Sequence, residues 1–198
     1  MAAHTESGSV RIIGGKWRSR MIRFDDAEGL RPTTDRIRET VFNWLQPYIH
    51  QSRCLDLFAG SGVLGFEALS RGASELVFIE KNKKTTNRLR DNISRLKAEN
   101  ATVYNQDALA WLQSARAEKH CKERFDLVFL DPPFHAGLLT QSCMLLDSSG
   151  CLAEDAIIYA EHNTGTDIEV PENWLALKEK TAGQVVYRLF ENRPVEYG

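Results

Sequence analysis

From Arg53 to Ala160 the chain alternates strand-length runs with helical ones, and that rhythm leaves few folds open. Residues 54–58, 76–80, 102–105, 125–130 and 156–160 read as strands, the fourth apolar enough for the centre of a sheet. Between them, residues 63–70, 83–97 and 108–115 and a segment around 138–146 read as helices, with Leu89, Ile93 and Leu96 on one face of the second. Strand–helix alternation at this spacing predicts a doubly wound, Rossmann-like parallel sheet. The end breaks the pattern: residues 175–180 and 184–190 flank Ala182-Gly183 and read as an antiparallel hairpin. The fold class expected is α/β, with seven strands, mostly parallel, a C-terminal antiparallel hairpin, and a small N-terminal hairpin and helix as an extension.

That extension starts after residues 1–9, which are small and polar and are expected to form a disordered tail. Residues 10–13 and 16–24 flank Gly14-Gly15 and read as a hairpin turning there. After a loop, Thr33 and Thr34 are candidate helix caps, and Asp35 suits a first turn. Ile37, Val41, Trp44, Leu45 and Tyr48 then form an apolar stripe, and Pro47 marks the expected end or a frayed last turn. The organisation expected is a tail at 1–9, an extension at 10–50 and the main domain at 51–198. A length of 198 residues suits one domain. With 42% hydrophobic and 26% charged residues, gross disorder and a fibrous chain are excluded. No run approaches the roughly 20 apolar residues of a membrane span, and Met1–Ser9 lacks the features of a secretory signal. Four scattered cysteines predict reduced, buried thiols and a cytoplasmic protein. Neither they nor His50, His120 and His162 have metal-ligand spacing, so no metal is expected, and His135 reads as a loop residue. A monomer is expected.

After the first strand comes Gly60-Ser-Gly62-Val-Leu-Gly65, a Gly-x-Gly-x-x-Gly run between strand and helix. Glycines let backbone N–H groups approach a ligand, and the helix N-terminus favours an anion. A dinucleotide pyrophosphate and the carboxylate of S-adenosylmethionine both fit that description. Asp56 precedes the loop, where a nicotinamide-binding strand would carry an apolar residue; it can order the loop or meet an ammonium group. Glu80 closes the second strand, 20 residues after Gly60, where a carboxylate accepts ribose hydroxyls. Asp107 follows the third strand and can accept from an adenine amino group, with the Ala108 N–H reaching the ring, or simply cap a helix.

The fourth strand ends in Asp131-Pro132-Pro133-Phe134, the most specific signal in the chain. Ligands of doubly wound sheets sit beyond the carboxyl ends of strands, which places this turn beside the glycine loop. Two prolines remove two donors and leave carbonyls and the Asp131 carboxylate as acceptors. An exocyclic amine on a base is a poor nucleophile because its lone pair is delocalised. Two hydrogen bonds, to Asp131 and the Pro132 carbonyl, favour a pyramidal nitrogen aimed at a methyl donor. Phe134 would stack on the base, which a helical substrate must flip out.

Leu55-Asp-Leu-Phe-Ala-Gly-Ser-Gly62, Phe78-Ile-Glu80, Asp107 and Asp131–Phe134 resemble, in order, the motifs of class I amino-methyltransferases. Arg11-Ile-Ile-Gly-Gly-Lys-Trp-Arg-Ser-Arg20 and Arg31-Pro-Thr-Thr-Asp-Arg-Ile-Arg-Glu-Thr-Val-Phe42 resemble the RsmD family of bacterial 16S rRNA guanine-N2 methyltransferases, and the similarity runs from Val10 onward. The resemblance implies an S-adenosylmethionine cofactor, held by Asp56, Phe58, Ala59, Gly60, Gly62, Glu80, Lys81, Asp107 and Ala108. It implies a guanine in 16S rRNA, presented by the assembled or assembling small ribosomal subunit. Without it, the residues leave guanine, adenine and cytosine open, and RNA and DNA. The net charge of −2 does not advertise a nucleic-acid binder, yet the front is locally basic. Arg11, Lys16, Arg18 and Arg20 are candidates to grip phosphates and Trp17 to stack on a splayed base. Arg36 joins them at the helix start, where with Thr33 and Thr34 it can also cover the cofactor's methionine end. An adenine-N6 methyltransferase is the alternative. A nicotinamide-dependent oxidoreductase is opposed by Asp56, the double-proline turn and the closing hairpin. A non-catalytic RNA-binding assembly factor is opposed by the complete set of pocket residues.

Overall fold

The computed structural model describes residues 7–25, 35–114, 124–133 and 137–193. In chain order the elements are β1 (Ser7–Arg11), a 3-10 turn (Gly15–Trp17), β2 (Met21–Asp25), α1 (Asp35–Ile49), β3 (Arg53–Asp56), α2 (Val63–Ser70), β4 (Glu75–Glu80) and α3 (Lys83–Leu96). Then follow β5 (Ala101–Asn105), α4 (Ala108–Gln113), β6 (Phe125–Leu130), α5 (Leu138–Ser148), β7 (Leu152–Asn163), β8 (Trp174–Ala182) and β9 (Val185–Asn192).

Seven strands form one sheet in the order β5-β4-β3-β6-β7-β9-β8. Only β9 runs against its neighbours, pairing antiparallel with both β7 and β8. The chain moves outward from β3 to β4 and β5, then returns to place β6 on the other side of β3. The β3/β6 boundary is therefore the topological switch point, and the crevice beyond its carboxyl ends is where such sheets take ligands.

Both faces of the sheet are covered. One packs against α1, α2, α3 and the N-terminal hairpin through Phe42, Phe66, Leu89 and Trp17; the other packs against α4 and α5 through Trp111, Leu112, Cys143 and Leu146. Strands buried on both faces explain the near-continuous apolar reading of β6. The hairpin has no core of its own: Val10, Ile12, Trp17, Ile22 and Phe24 join the cluster on the α1–α3 face.

Several local expectations need correction. Strand β1 begins at Ser7, inside the segment read as a tail, because residues 7–11 pair with β2. The hairpin does not turn at Gly14-Gly15. Its strands are joined by a longer excursion whose 3-10 turn lies on the end of α2. Gly15 serves close approach instead: at φ +74°, any Cβ would lie 1.8 Å from the Ser70 carbonyl oxygen. Helix α1 ends at Ile49, so Pro47 sits in its last turn, as one of the two expected readings had it; a proline there forfeits one hydrogen bond without ending the helix at once. Cys54 and Cys143 are buried, with thiols pushed by burial up to about 12. Cys151, however, is disulfide-bonded: scatter along the sequence does not set distance in the fold. Thr33, Thr34, Phe134 and His135 lie outside the described residues.

Candidate active site

The glycine loop leaves β3 and enters α2 through Gly62, which caps the helix at φ +76°, a conformation that side-chain-bearing residues rarely take. Its N–H closes the turn on the Ala59 carbonyl, and the Ala59 N–H reaches across to Ile79 on β4 at 3.0 Å. Gly65 serves packing: a Cβ there would stand 2.5 Å from the Phe78 ring, so its absence seats α2 against β4. Phe58 and Ala59 fill the bend, half-buried and buried respectively.

Two carboxylates brace this loop. Glu80 accepts the Gly60 N–H at 3.0 Å through Oε2 and the Asn82 N–H at 2.7 Å through Oε1, bridging the glycine loop to the start of α3. Lys81 is exposed beside it, and its carbonyl, like that of Glu80, accepts from Asn105 Nδ2 at 2.9 Å. Asp56 is buried, 3% exposed, and accepts backbone hydrogen bonds from Gly65 and Phe58. Burial first, then the nearby Glu80 charge, pushes its carboxyl up to about 7 against those hydrogen bonds. Asp107 caps α4: its Oδ1 accepts the Leu109 and Ala110 N–H groups at 3.0 and 3.1 Å, with Ala108 buried beneath.

Across the switch point, Asp131 follows the last residue of β6. The Cα of Asp56 pairs in register with Phe129, two residues before Asp131. Asp131 is partly buried. Burial, then the Glu161 and Asp56 carboxylates, raises its pKa well above the usual value. Asp56, Asp131 and Glu161 thus form an acidic row over the ends of β3, β6 and β7. Glu161 belongs to this site although no motif marked it; Tyr159 donates to its Oε2 at 2.7 Å. Pro132 is buried and Pro133 exposed, and both line an open cleft with Leu139, Glu161 and His162. The structure therefore brings Asp56, Gly60, Gly62, Glu80, Asp131 and Pro132 to one end of the sheet.

The basic front divides. Trp17 is not available for stacking on a base. It is 6% exposed, packed in the core, with its backbone N–H donating to Ser70 Oγ at 2.9 Å and Lys16 Nζ lying 4.5 Å from its ring centroid. An aromatic between cations reads as a stacking residue only while the chain is considered extended; docking on α2 turns it inward. Arg11 is exposed but paired with Asp35 at 3.3 Å. Lys16, Arg18, Arg20 and Arg36 are exposed. Arg20 donates to the Arg95 carbonyl at 3.3 Å, and Asn92 of α3 clasps the Arg23 backbone by two hydrogen bonds of 3.2 and 2.7 Å. These contacts merge the hairpin with α3 into a groove lined by Arg23, Arg88 and Arg95 together with Asp91, Asn92 and Ser94, with Asp91 3.7 Å from Arg88. From residue 83 to 97 the sequence carries Lys83, Lys84, Arg88, Arg90, Arg95 and Lys97 against the single acid Asp91. That imbalance was the available signal for a basic surface wider than the hairpin. Among the described residues, no helix is long and apolar enough to cross a membrane.

Residues 10–191 match the family described as Conserved hypothetical protein 95. Ribosomal RNA small subunit methyltransferase D of Haemophilus influenzae is 51% identical over 187 residues, covering 93% of this chain and 95% of that protein. The Escherichia coli protein of the same name is 48% identical over 189 residues, covering 95% and 92%. The solved structure of Escherichia coli yhhF superposes with a TM-score of 0.83 at 43% identity, covering 94% of this chain and 99% of that one. With a family model spanning nearly all of it and relatives this similar over their whole length, the chain belongs to the family of the ribosomal RNA small subunit methyltransferases D.

Proposed function

We propose that this protein transfers the methyl group of S-adenosylmethionine to the exocyclic N2 amine of a guanine in 16S rRNA, presented by the assembled or assembling small ribosomal subunit. The observation that carries the proposal is the juxtaposition, at one switch point, of a braced glycine loop and an acceptor-only Asp-Pro-Pro corner. Membership of a family whose members carry rRNA methyltransferase names supports the substrate class.

The residues fit this cofactor. Glu80 stands at the end of β4, where its oxygens retain lone pairs for ribose hydroxyls beyond the two N–H groups they already accept. The α2 N-terminus and Gly62 suit a carboxylate. The Asp56 carboxylate suits a net positive ligand. When bound, S-adenosylmethionine supplies an electrophilic methyl group. The chain's own part is to hold and orient the acceptor. Asp131 and the Pro132 carbonyl take the two amine hydrogens, and Phe134 stacks on the base. The amine so held would have its lone pair free to take the methyl group that the bound cofactor would supply. The nitrogen sheds one proton to Asp131. Amine donors and a nearby cation favour ionised Asp131, opposing the burial that raises its pKa.

A pH dependence follows from Asp56. Its folded pKa, about 7, lies above the unfolded carboxylate value, so the empty site retains a proton that the unfolded chain has lost. A positively charged ligand favours the ionised form. Affinity for S-adenosylmethionine should therefore rise as pH climbs towards about 7 and level off above it, by at most about tenfold per pH unit. Titration calorimetry at several pH values should show this rise, and Asp56→Asn should flatten it. A flat profile in the unaltered protein would detach Asp56 from cofactor binding.

The basic groove gives a second expectation. Changing Arg18, Arg20 and Arg95 to Ala should weaken binding to small subunits and lower the salt slope by about 1 for each phosphate no longer neutralised. Unchanged binding across salt would remove this surface from RNA contact.

The function itself is tested by incubating small subunits that lack the modification with radiolabelled S-adenosylmethionine and this protein. Label should enter the 16S rRNA. Absence of incorporation together with binding of NADH would favour the oxidoreductase; RNA binding without incorporation would favour the assembly factor.

A further inference from the structure

Glu161 follows Ala160 on β7 as Asp131 follows Leu130 on β6, and Leu130 and Ala160 are register partners. Strand side chains alternate between faces, so Glu161 and Asp131 emerge side by side on the face that carries Tyr159 and Phe129. Glu161 is 5% exposed and lines the cleft beside Pro132 and Pro133. Tyr159 is fully buried, edge-on to Phe129 with ring centroids 6.2 Å apart, and its hydroxyl fixes the Glu161 carboxylate at 2.7 Å. An ionised carboxylate offers about four acceptor positions, so a carboxylate that accepts from a tyrosine hydroxyl can also accept from a ligand in the cleft it lines.

Two adjacent carboxylates, Glu161 buried and Asp131 partly buried, are costly without donors to share. The corner beside them supplies none, because Pro132 and Pro133 have no N–H. Orienting one exocyclic amine uses two acceptors, Asp131 and the Pro132 carbonyl. Glu161 is a third acceptor on the same side and calls for a third N–H next to that amine. Guanine has one: its ring N1–H adjoins the 2-amino group. Adenine and cytosine present a ring-nitrogen lone pair next to their amino groups, which a carboxylate would repel.

We propose that Glu161 accepts the N1–H of the target guanine, with Tyr159 holding it in place, and that this contact selects guanine over adenine and cytosine. The inference rests on the guanine-N2 reading above. It assigns Glu161 to substrate contact and Tyr159 to positioning. The upward displacement of the Asp131 pKa is consistent with a carboxylate pair that retains a proton until such donors arrive.

The test uses small subunits reconstituted with 16S rRNA carrying either guanine or 2-aminopurine at the methylated position. 2-Aminopurine keeps the 2-amino group but presents a lone pair at N1. The unaltered enzyme should prefer guanine by roughly a hundredfold in kcat/KM. Glu161→Gln, whose amide can donate to a ring lone pair, should lose roughly tenfold or more on guanine and reduce the preference to within about tenfold. Tyr159→Phe, which keeps the ring in the core, should narrow the preference in the same direction. That variant, with the unaltered enzyme's own preference, decides the matter if Glu161→Gln does not fold. A purely structural role for either residue would lower both rates together and leave their ratio unchanged, and that result overturns the proposal. So does an unaltered enzyme that methylates both bases equally. Failure of the parent reading shows separately: a product of the unaltered enzyme other than N2-methylguanosine removes the guanine assignment, and this inference with it.

Discussion

Asp131→Ala should lower single-turnover methyl transfer by roughly 10²–10⁴-fold while S-adenosylmethionine still binds. The change removes one of two acceptors that set the amine's geometry and the group that takes its proton. Both interactions strengthen as the nitrogen gains the methyl, so the loss should fall on kcat more than on KM. The cofactor loop is held independently, by Glu80 on the Gly60 N–H and Asp56 on the Gly65 backbone. Stability supplies a control. The folded pKa of Asp131 is raised, so burying it ionised weakens the fold as pH rises above the unfolded carboxylate value. Removing it should leave the melting temperature unchanged or higher at pH 8. Near-normal turnover would take Asp131 out of the mechanism. Lost turnover with lost stability would mean the residue supports the fold instead.

The second large effect lies away from the chemistry. Glu67 on α2 is fully buried and accepts the Ile13 N–H at 2.8 Å and Arg71 Nε at 2.7 Å. Arg38 of α1, also fully buried, has Nη1 3.7 Å from Glu67 and a second partner in Asp35. One carboxylate thus joins the hairpin, α1 and α2. Glu67→Ala leaves the buried Arg38 with the half-exposed Asp35 alone, takes the carboxylate from Arg71 and frees the hairpin end. Loss of one member of a buried ion pair costs about 3–5 kcal/mol, which in a domain of this size lowers the melting temperature by on the order of 10 °C. Denaturant and thermal unfolding both measure it. Replacing the pair together, Arg38→Met with Glu67→Leu, should recover part of the loss, because it removes the buried Arg38 charge while the Ile13 N–H and Arg71 still lose their acceptor. A single variant as stable as the parent would mean that the network carries no net weight.

Much of the fold was legible because it depends on local pattern. The α2 boundaries, the Gly60–Gly65 loop and the closing antiparallel pair β8–β9 each follow from short-range spacing. The Asp-Pro-Pro turn was legible because two prolines have few uses after a central strand. What escaped depends on contacts across the chain. Glu161 joins the site only through the β6–β7 register, which places it beside a residue 30 positions earlier. Trp17 looked like a stacking residue until α2 covered it. Gly15 looked like half of a tight turn, but its missing Cβ makes room for Ser70. The cations of α3 resemble any solvated helix face until β2 is laid along them through Asn92.

In the proposed reaction an acceptor-lined corner beside a braced glycine loop aligns a guanine amine for methylation. Digesting methylated small subunits to nucleosides and resolving the labelled product by chromatography and mass spectrometry tests it most directly. The label should travel with N2-methylguanosine. Label in N6-methyladenosine or in a methylated cytidine would contradict it.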